Sequence, residues 1–160
     1  MNNTVIPDGF ERHFRQSPLT DPWEPLHSKR TDKAVIVGLR LAKPHTNAHG
    51  LIHGGLIATL ADNAMGYSCA HQMGWTSFLA TIGLSVDFVG AAKVGQWLAV
   101  EPDVIKTGNS ICFAQCYVKP MTLSSRGPTP RSVWYVKLNK RPAGGVSLAD
   151  FGSDYQKRRQ

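Results

Sequence analysis

One short segment combines glycines with polar side chains just before an apolar stretch: Asn47-Ala48-His49-Gly50-Leu51-Ile52-His53-Gly54-Gly55. The glycines allow the backbone to come close to a ligand, because they carry no side chain. If a helix begins here, its free N–H groups and its dipole could stabilise the negative oxygen that develops when a carbonyl is attacked. The alternative is a loop in which Gly54 or Gly55 needs a positive φ. The segment alone leaves both interpretations open.

A single acid, Asp62, follows inside the apolar stretch, in Leu60-Ala61-Asp62-Asn63-Ala64. Burying a carboxylate without a partner is costly, so something must compensate its charge. As a structural residue, Asp62 would lie on a narrow polar stripe with Thr59 and Asn63. As a functional residue, it would act as a base or a nucleophile. We favour the functional interpretation, because Asp is a poor helix former with a large desolvation penalty.

Charge and periodicity predict the elements that position these residues. From Gly50 to Ala92 the chain carries only two charged residues, Asp62 and Asp87, so this stretch must hold the core. We predict a mostly buried helix from about His53 to His71. Its apolar residues recur at helical spacing: Leu56, Ile57, Leu60, Ala61, Ala64 and Met65.

Apolar, β-branched segments predict five strands: Ala34–Leu41, Ser77–Val89, Gly95–Lys106, Ser110–Lys119 and Ser132–Asn139. Thr107-Gly108-Asn109 is typical of a hairpin turn. Residues 1–33 are rich in proline and charge, and we expect a lead-in segment with one short helix. One strand, one buried helix and a run of antiparallel strands indicate an α+β domain whose sheet curls around the helix.

A spaced motif joins the loop to the helix: Asn47-x-x-Gly50-x-x-His53-Gly54-Gly55, then Leu60-x-Asp62. It resembles the signature of the hotdog-fold thioesterases of the phenylacetate-degradation (PaaI-like) type, over roughly residues 34–140. The resemblance implies a hotdog fold, in which a curled antiparallel sheet wraps around one long central helix. It also implies hydrolysis of a small or medium acyl- or aryl-coenzyme A, with no cofactor besides the coenzyme A of the substrate. Residues 141–160 would then be a basic C-terminal tail.

The resemblance assigns roles to five residues. Asp62 would be the catalytic carboxylate, and Gly54 N–H would polarise the thioester carbonyl. Asn47 would help to place water or substrate, and His53 would support the loop. Thr81 matches the position where such enzymes carry a Ser or Thr near the attacking water.

Four further residues are expected to bind substrate. Gly55 lies in the loop that approaches the carbonyl. Lys106, beside Gly108, falls where a basic residue can meet coenzyme A phosphates, although an exposed hairpin lysine explains it equally well. Family members often carry Arg-Pro-Ala where this chain has Gly90-Ala91-Ala92. We therefore expect Lys93 to replace the missing arginine.

A zinc site would need the histidines His45, His49 and His53 on one helical face. Pro44 and Gly50 oppose a helix there, so no metal is expected.

Two other functions stay open. A hotdog hydratase or dehydratase also uses an Asp and a His, although a carboxylate well inside the helix suits hydrolysis better. A non-catalytic acyl-CoA-binding protein could retain the pocket, but the complete set of Asn47, Gly54 and Asp62 argues against it.

Composition limits the partners and the compartment. The net charge of +7 is spread along the chain, which does not favour a nucleic-acid partner, and Lys157-Arg158-Arg159 is expected to be solvated. There is no long apolar run and no apolar N-terminal leader, so we expect a cytoplasmic protein without a membrane partner. The odd set of Cys69, Cys112 and Cys116 is expected to stay reduced.

Helix geometry predicts that two chains share each site. Asp62 lies eight residues beyond Gly54, which is about 12 Å along a helix that rises about 1.5 Å per residue. One carbonyl cannot easily reach both groups of the same chain. Two antiparallel copies would place each Asp62 against the other Gly54, in an isologous homodimer that could assemble further into a tetramer. The resemblance implies the same composite sites.

Overall fold

The computed structural model describes residues 5–76, 78–124, 127–130 and 134–143. Within these ranges the chain forms one α-helix, α1 (Gly54–Gln72), between the third and the fourth of eight strands. The strands are β1 (Glu11–Arg12), β2 (Leu26–Arg30), β3 (Val35–Arg40), β4 (Phe78–Asp87), β5 (Trp97–Lys106), β6 (Cys112–Ser124), β7 (Gly127–Pro130) and β8 (Trp134–Ala143). Short 3-10 helices span Asp21–Trp23 and Lys43–His45.

The strands form one antiparallel sheet in the order β1-β2-β3-β5-β6-β8-β4, with β7 paired to β6 beside this path. Helix α1 packs against β3, β4, β5, β6 and β8, so the sheet wraps around it. The predicted α+β class, with a curled antiparallel sheet around one long helix, is confirmed. Strand β4 ends the sheet, and the helix-facing catalytic candidates therefore lie near an open edge.

The central helix begins one residue after the predicted start and ends one residue after the predicted end. The His53 ring caps it, because Nδ1 accepts a hydrogen bond of 2.8 Å from Gly55 N–H. At the other end, Gly74 takes a φ of 67° and stops the helix. The six apolar positions predicted from helical spacing are all buried in the core.

A buried hydroxyl ties the helix to the sheet. Ser68 Oγ donates to Ala64 O at 2.8 Å within the helix and accepts from Val35 N–H at 2.9 Å at the start of β3. Because Ser68 is fully buried, these bonds satisfy a hydroxyl that would otherwise be costly to bury. The helix axis is thereby fixed against β3 at a point about 9 Å beyond Asp62 along the helix.

Parts of the sheet were not predicted. The lead-in contains the expected short helix, but it also adds β1 and β2, and β2 pairs with β3 along its whole length. The division of the chain at residue 33 stays a prediction. Strand β8 runs to Ala143, three residues into the predicted tail, and residues 144–160 lie outside the described part of the chain.

Between residues 5 and 143, in the ranges described, no helix is long and apolar enough to span a bilayer.

Candidate active site

Asp62 lies at the centre of a three-residue polar cluster. Thr81 Oγ1 donates a hydrogen bond of 2.6 Å to Asp62 Oδ1. Lys140 Nζ lies 3.2 Å from the same oxygen and donates to Thr81 Oγ1 at 2.9 Å. The carboxylate inside the apolar helix is thus compensated, as required, and both contacts leave Oδ2 for another partner. The Asp62 side chain is 29% exposed, so water and substrate can reach it.

A β-bulge places Thr81 beside the helix. Thr81 pairs with Lys140 and Gly83 with Asn139, so Ile82 is an extra residue in β4. Side chains of a regular strand alternate between faces, and the inserted residue lets Thr81 and Leu84, three positions apart, share the helix-facing side. Thr81 was proposed from the sequence as a neighbour of the catalytic site, and the structure brings it to Asp62.

Lys140 was not identified from the sequence. Its side chain is 7% exposed and passes over Gly66, where an added Cβ would lie 2.8 Å from Nζ. A glycine at this position of the helix therefore leaves the space that the ammonium group occupies. The only signal in the sequence is its alternation with the buried residues Val136 and Leu138, which puts it on the same face of β8.

The loop before the helix is organised by the side chain of Asn47. Its Oδ1 accepts hydrogen bonds from His49 N–H at 2.9 Å and from Leu51 N–H at 3.1 Å. A bridge between Thr46 and Ile52 closes the same turn. Within this chain Asn47 therefore holds the loop. Its expected role in placing water or substrate stays a prediction.

Gly54 and Gly55 differ in what their N–H groups do. Gly55 N–H donates to the His53 ring, so His53 caps the helix, and its expected role in supporting a catalytic loop stays a prediction. Gly54 is the first residue of the helix, and no acceptor for its N–H lies among the described residues. The Phe88 ring covers Gly54, at 3.1 Å from the position of an added Cβ. Gly54 N–H is thus the group in this loop that a substrate oxygen could bind.

A pocket of about 260 Å³ opens beside the cluster. Tyr67 and Phe78 line it, whereas Met65 is fully buried in the core. Its wall also includes Asp62, Thr81 and Lys140 from the cluster, and Arg15, Asn63, Gly66, Ala70, Trp75 and Leu79.

The two candidate phosphate-binding lysines lie at opposite ends of β5. Lys93 precedes this strand, on the loop that follows Phe88, and Lys106 ends it beside the turn containing Gly108. Ten residues of strand extend about 30 Å at about 3.3 Å per residue, so one phosphate cannot contact both lysines of one chain. Both lysines are exposed.

The three histidines considered as metal ligands do not share a helical face. His45 is buried and its Nδ1 accepts from Ala42 N–H at 2.9 Å, and His53 caps the helix. The described residues contain no group of three His, Cys, Asp or Glu side chains that could hold a metal ion.

Comparisons with known proteins agree with this geometry. The family model described as "Thioesterase superfamily" matches residues 49–120. A Pseudomonas aeruginosa protein named "Putative esterase PA0474" is 40% identical over 110 residues, which cover 68% of this chain and 82% of that relative. Human acyl-coenzyme A thioesterase 13 is 34% identical over 85 residues, covering 49% of this chain and 56% of the human protein.

Solved structures share the fold. The Escherichia coli PaaI protein from the phenylacetic acid degradation operon superposes with a TM-score of 0.67 at 17% identity, over 82% of this chain and 88% of that one. A hypothetical thioesterase from Streptococcus pneumoniae, solved with coenzyme A, gives 0.64 at 19% identity, over 79% and 91%. The resemblance inferred from the motif is confirmed, and the chain belongs to the thioesterase superfamily.

Proposed function

We propose that this protein is an acyl-CoA thioesterase, which cleaves the thioester bond with water to give a free acid and coenzyme A. The observation that carries this proposal is the Asp62 carboxylate, fixed by Thr81 and Lys140 at the wall of a pocket. The family, the human relative named for acyl-coenzyme A and the coenzyme A-bound structure of similar fold support this substrate class.

The proposed reaction begins with the thioester carbonyl at the N-terminus of α1. Gly54 N–H and the helix dipole stabilise the oxyanion, because both place positive charge where negative charge develops. Asp62 then removes a proton from a water that attacks the carbonyl carbon, or its carboxylate attacks directly and water hydrolyses the resulting anhydride. Both routes expel coenzyme A as the thiol, and both need an ionised carboxylate at residue 62.

We propose that the working unit is a homodimer with composite sites, which could form a tetramer. Gly54 and Asp62 lie about 12 Å apart along one straight helix, so a single carbonyl needs them from different chains. The edge strand β4 supports a second chain at this face, since the apolar side chains of Ile82, Phe88 and Val89 are exposed on it or just after it.

The same dimer offers a place for the coenzyme A phosphates. Lys93 lies at the Gly54 end of the sheet, because it follows Phe88, whose ring covers Gly54. Lys106 pairs with Phe113, one row from Cys112 and Lys140, at the Asp62 end. An antiparallel pair of chains would bring the Lys93 of one subunit to the same side as the Lys106 of the other. We propose that these two lysines flank the phosphates.

We also propose that the enzyme works in the cytoplasm and needs no cofactor beyond the coenzyme A of its substrate. Cys69, Cys112 and Cys116 are free thiols in the core. Burial raises the pKa of Cys69 and of Cys116 to about 12, so these thiols stay protonated and unreactive. A reducing compartment is consistent with unpaired cysteines.

The test is thiol release from a panel of aromatic and aliphatic acyl-CoA esters. We expect turnover by the wild type and a loss of about 100-fold or more in kcat for Asp62→Asn, because an amide can neither accept the water proton nor attack. Asp87→Asn, a change of an exposed acid in β4, is the matched control and should keep full activity. Hydration of an enoyl-CoA without thiol release, or tight binding of esters without turnover, would contradict the proposal.

A further inference from the structure

Arg15 contributes a cation to the pocket that the catalytic candidates do not use. It belongs to the lead-in segment, yet its side chain lines the pocket together with Asp62 and Lys140. The residue is half-buried. No hydrogen bond or ion pair of Arg15 occurs in the part of the chain that the structure describes.

Aromatic packing holds this segment over the pocket. The Phe14 ring meets Tyr67 at 5.6 Å and Trp75 at 5.7 Å between centroids, and the guanidinium of Arg30 lies 4.3 Å from the Phe14 centroid. The neighbouring ring of His13 is buried and also contacts Tyr67. Arg15 therefore follows two anchored residues, and its position is set by the fold.

The charges around the pocket do not balance. Asp62 and Lys140 neutralise each other at 3.2 Å, which leaves the guanidinium of Arg15 as an additional positive charge. Burial raises the pKa of Tyr67, the charge of Arg15 lowers it and the charge of Asp62 raises it further. A half-buried cation without a counter-ion favours a ligand that brings a negative charge.

Large apolar side chains line much of the rest of the pocket. Tyr67, Trp75 and Phe78 present aromatic side chains to it, and Leu79 adds an aliphatic one. Trp75 has a φ of 61°, a conformation that bulky residues rarely adopt and that is found where the structure requires it. The volume of about 260 Å³ is below the roughly 300–1,000 Å³ typical of sites for whole drug-sized ligands. A pocket of this size suits the acyl part of a thioester better than a whole acyl-CoA.

We infer that the acyl group released by this enzyme is a compact aromatic acid with a second carboxylate, and that Arg15 binds that carboxylate. Such a substrate is the mono-thioester of an aromatic dicarboxylic acid. The inference rests on the proposed thioesterase function and specifies which acyl group the enzyme accepts. The guanidinium fork offers two parallel N–H donors to a carboxylate, so the contact selects both charge and position.

The experiment compares kcat/KM for benzoyl-CoA with that for 3- and 4-carboxybenzoyl-CoA. We expect the wild type to prefer a carboxylated ester, and Arg15→Gln to reduce that preference by about 10- to 100-fold, the usual effect of losing a charge-assisted hydrogen bond. Arg15→Lys should restore part of the preference, because it keeps the charge. Arg12→Gln is the matched control, since Arg12 lies in the same segment but pairs with Glu24 at 3.3 Å outside this pocket.

Each other outcome has a definite meaning. Equal rates for neutral and carboxylated esters, or a preference unchanged by Arg15→Gln, would overturn the inference and leave the thioesterase proposal intact. If Arg15→Gln lowered kcat/KM equally for all esters and also weakened inhibition by free coenzyme A, Arg15 would bind a coenzyme A phosphate. That result would also overturn the inference. No thiol release from any ester by the wild type would refute the proposed function and this specificity with it.

Discussion

The ammonium group of Lys140 lies 3.2 Å from Asp62 Oδ1, and its side chain is 93% buried against the helix that carries the acid. A buried cation at this distance fixes the carboxylate by charge as well as by geometry. Thr81, which accepts a hydrogen bond from the same ammonium, completes a closed triangle of contacts. The acid is thus held in one orientation before a substrate arrives.

Removing this ammonium should affect the chemical step more than binding. For Lys140→Met, which keeps the apolar stem, we expect kcat to fall by about 10- to 100-fold and KM to change little, because a charge-assisted contact to the acid is lost. Steady-state kinetics on one ester measure both parameters. Gly66→Ala should reproduce part of the effect, since its Cβ would lie 2.8 Å from Nζ. A rise in KM with kcat unchanged would mean that Lys140 binds substrate.

A proline can remove the proposed oxyanion donor with little change in the backbone. Gly54 is the first helical residue, where proline is tolerated, and His53 before it is extended with a ψ of 128°, as proline requires. We expect Gly54→Pro to lower kcat by about 100- to 1,000-fold, as for the loss of other oxyanion donors. Gly54→Ala is the control, because it meets Phe88 in the same way but keeps the N–H. Similar losses in both variants would point to the Phe88 contact instead.

Composite sites can be tested by mixing two inactive chains. Refolding Asp62→Asn with Gly54→Pro should produce heterodimers with one doubly damaged site and one intact site. Random pairing then restores roughly a quarter of the sites. Thiol release from the mixture, compared with each refolded parent, measures this recovery. Activity no higher than the mean of the parents would place both residues in the site of a single chain.

Coenzyme A should be held in part by charge. We expect its inhibition constant to rise with added salt, and to rise about two- to fivefold in Lys93→Ala or Lys106→Ala, because exposed charge pairs contribute modestly and are screened. The matched control is Lys33→Ala, an exposed lysine between β2 and β3. Inhibition that is insensitive to salt and to both substitutions would show that the phosphates bind elsewhere.

Lowering the pH should destabilise the folded protein through His13 in the lead-in segment. Burial, and then the charges of Arg15 and Arg30, lower the pKa of His13 from 6.5 to about 4. The unfolded chain therefore binds the proton first as the pH falls, so stability is full above pH 6.5 and is lost towards pH 4. Between pH 7.5 and pH 5 we expect the free energy of unfolding to drop by about 2 kcal/mol from this group.

Urea denaturation at the two pH values measures that drop, and His13→Phe should abolish most of it. Phenylalanine keeps a ring against Phe14 and Tyr67 but cannot take up a proton. His27, whose pKa burial also lowers, would account for a remaining part. An equal pH dependence in wild type and variant would show that His13 is accessible to protons in the folded protein.

The sequence predicted the helix within one residue at each end, because the apolar residues from Leu56 to Met65 recur at helical spacing, which is a strong local signal. Thr81 was proposed only through the family resemblance, and the structure brings its hydroxyl to Asp62. Lys140 was missed because its contact with Asp62 depends on which residues of β8 oppose β4, and a bulge after Thr81 shifts that register. The register of two paired strands cannot be predicted from the sequence of either strand alone.

The structure of the lead-in segment was predicted least well, because it too depends on contacts between distant parts of the chain. Strand β1 has two residues, too few for a period, and several prolines interrupt the segment around it. Its contacts with Tyr67 and Trp75 join positions far apart in the chain. The role of Arg15 could therefore emerge only from the folded arrangement. The separation of Lys93 from Lys106 likewise became visible only when β5 was seen to lie between them.

The anchored segment that carries Arg15 has an evolutionary consequence. Asp62, Thr81 and Lys140 belong to α1, β4 and β8. Arg15, which we propose selects the acyl group, belongs instead to the lead-in segment just after β1 and reaches the pocket from outside the helix-and-sheet core. Changes in that stretch can alter what the pocket accepts without disturbing how the bond is broken. Diversification of substrates among descendants of this chain can therefore begin near residue 15 and leave Asp62, Thr81 and Lys140 unchanged.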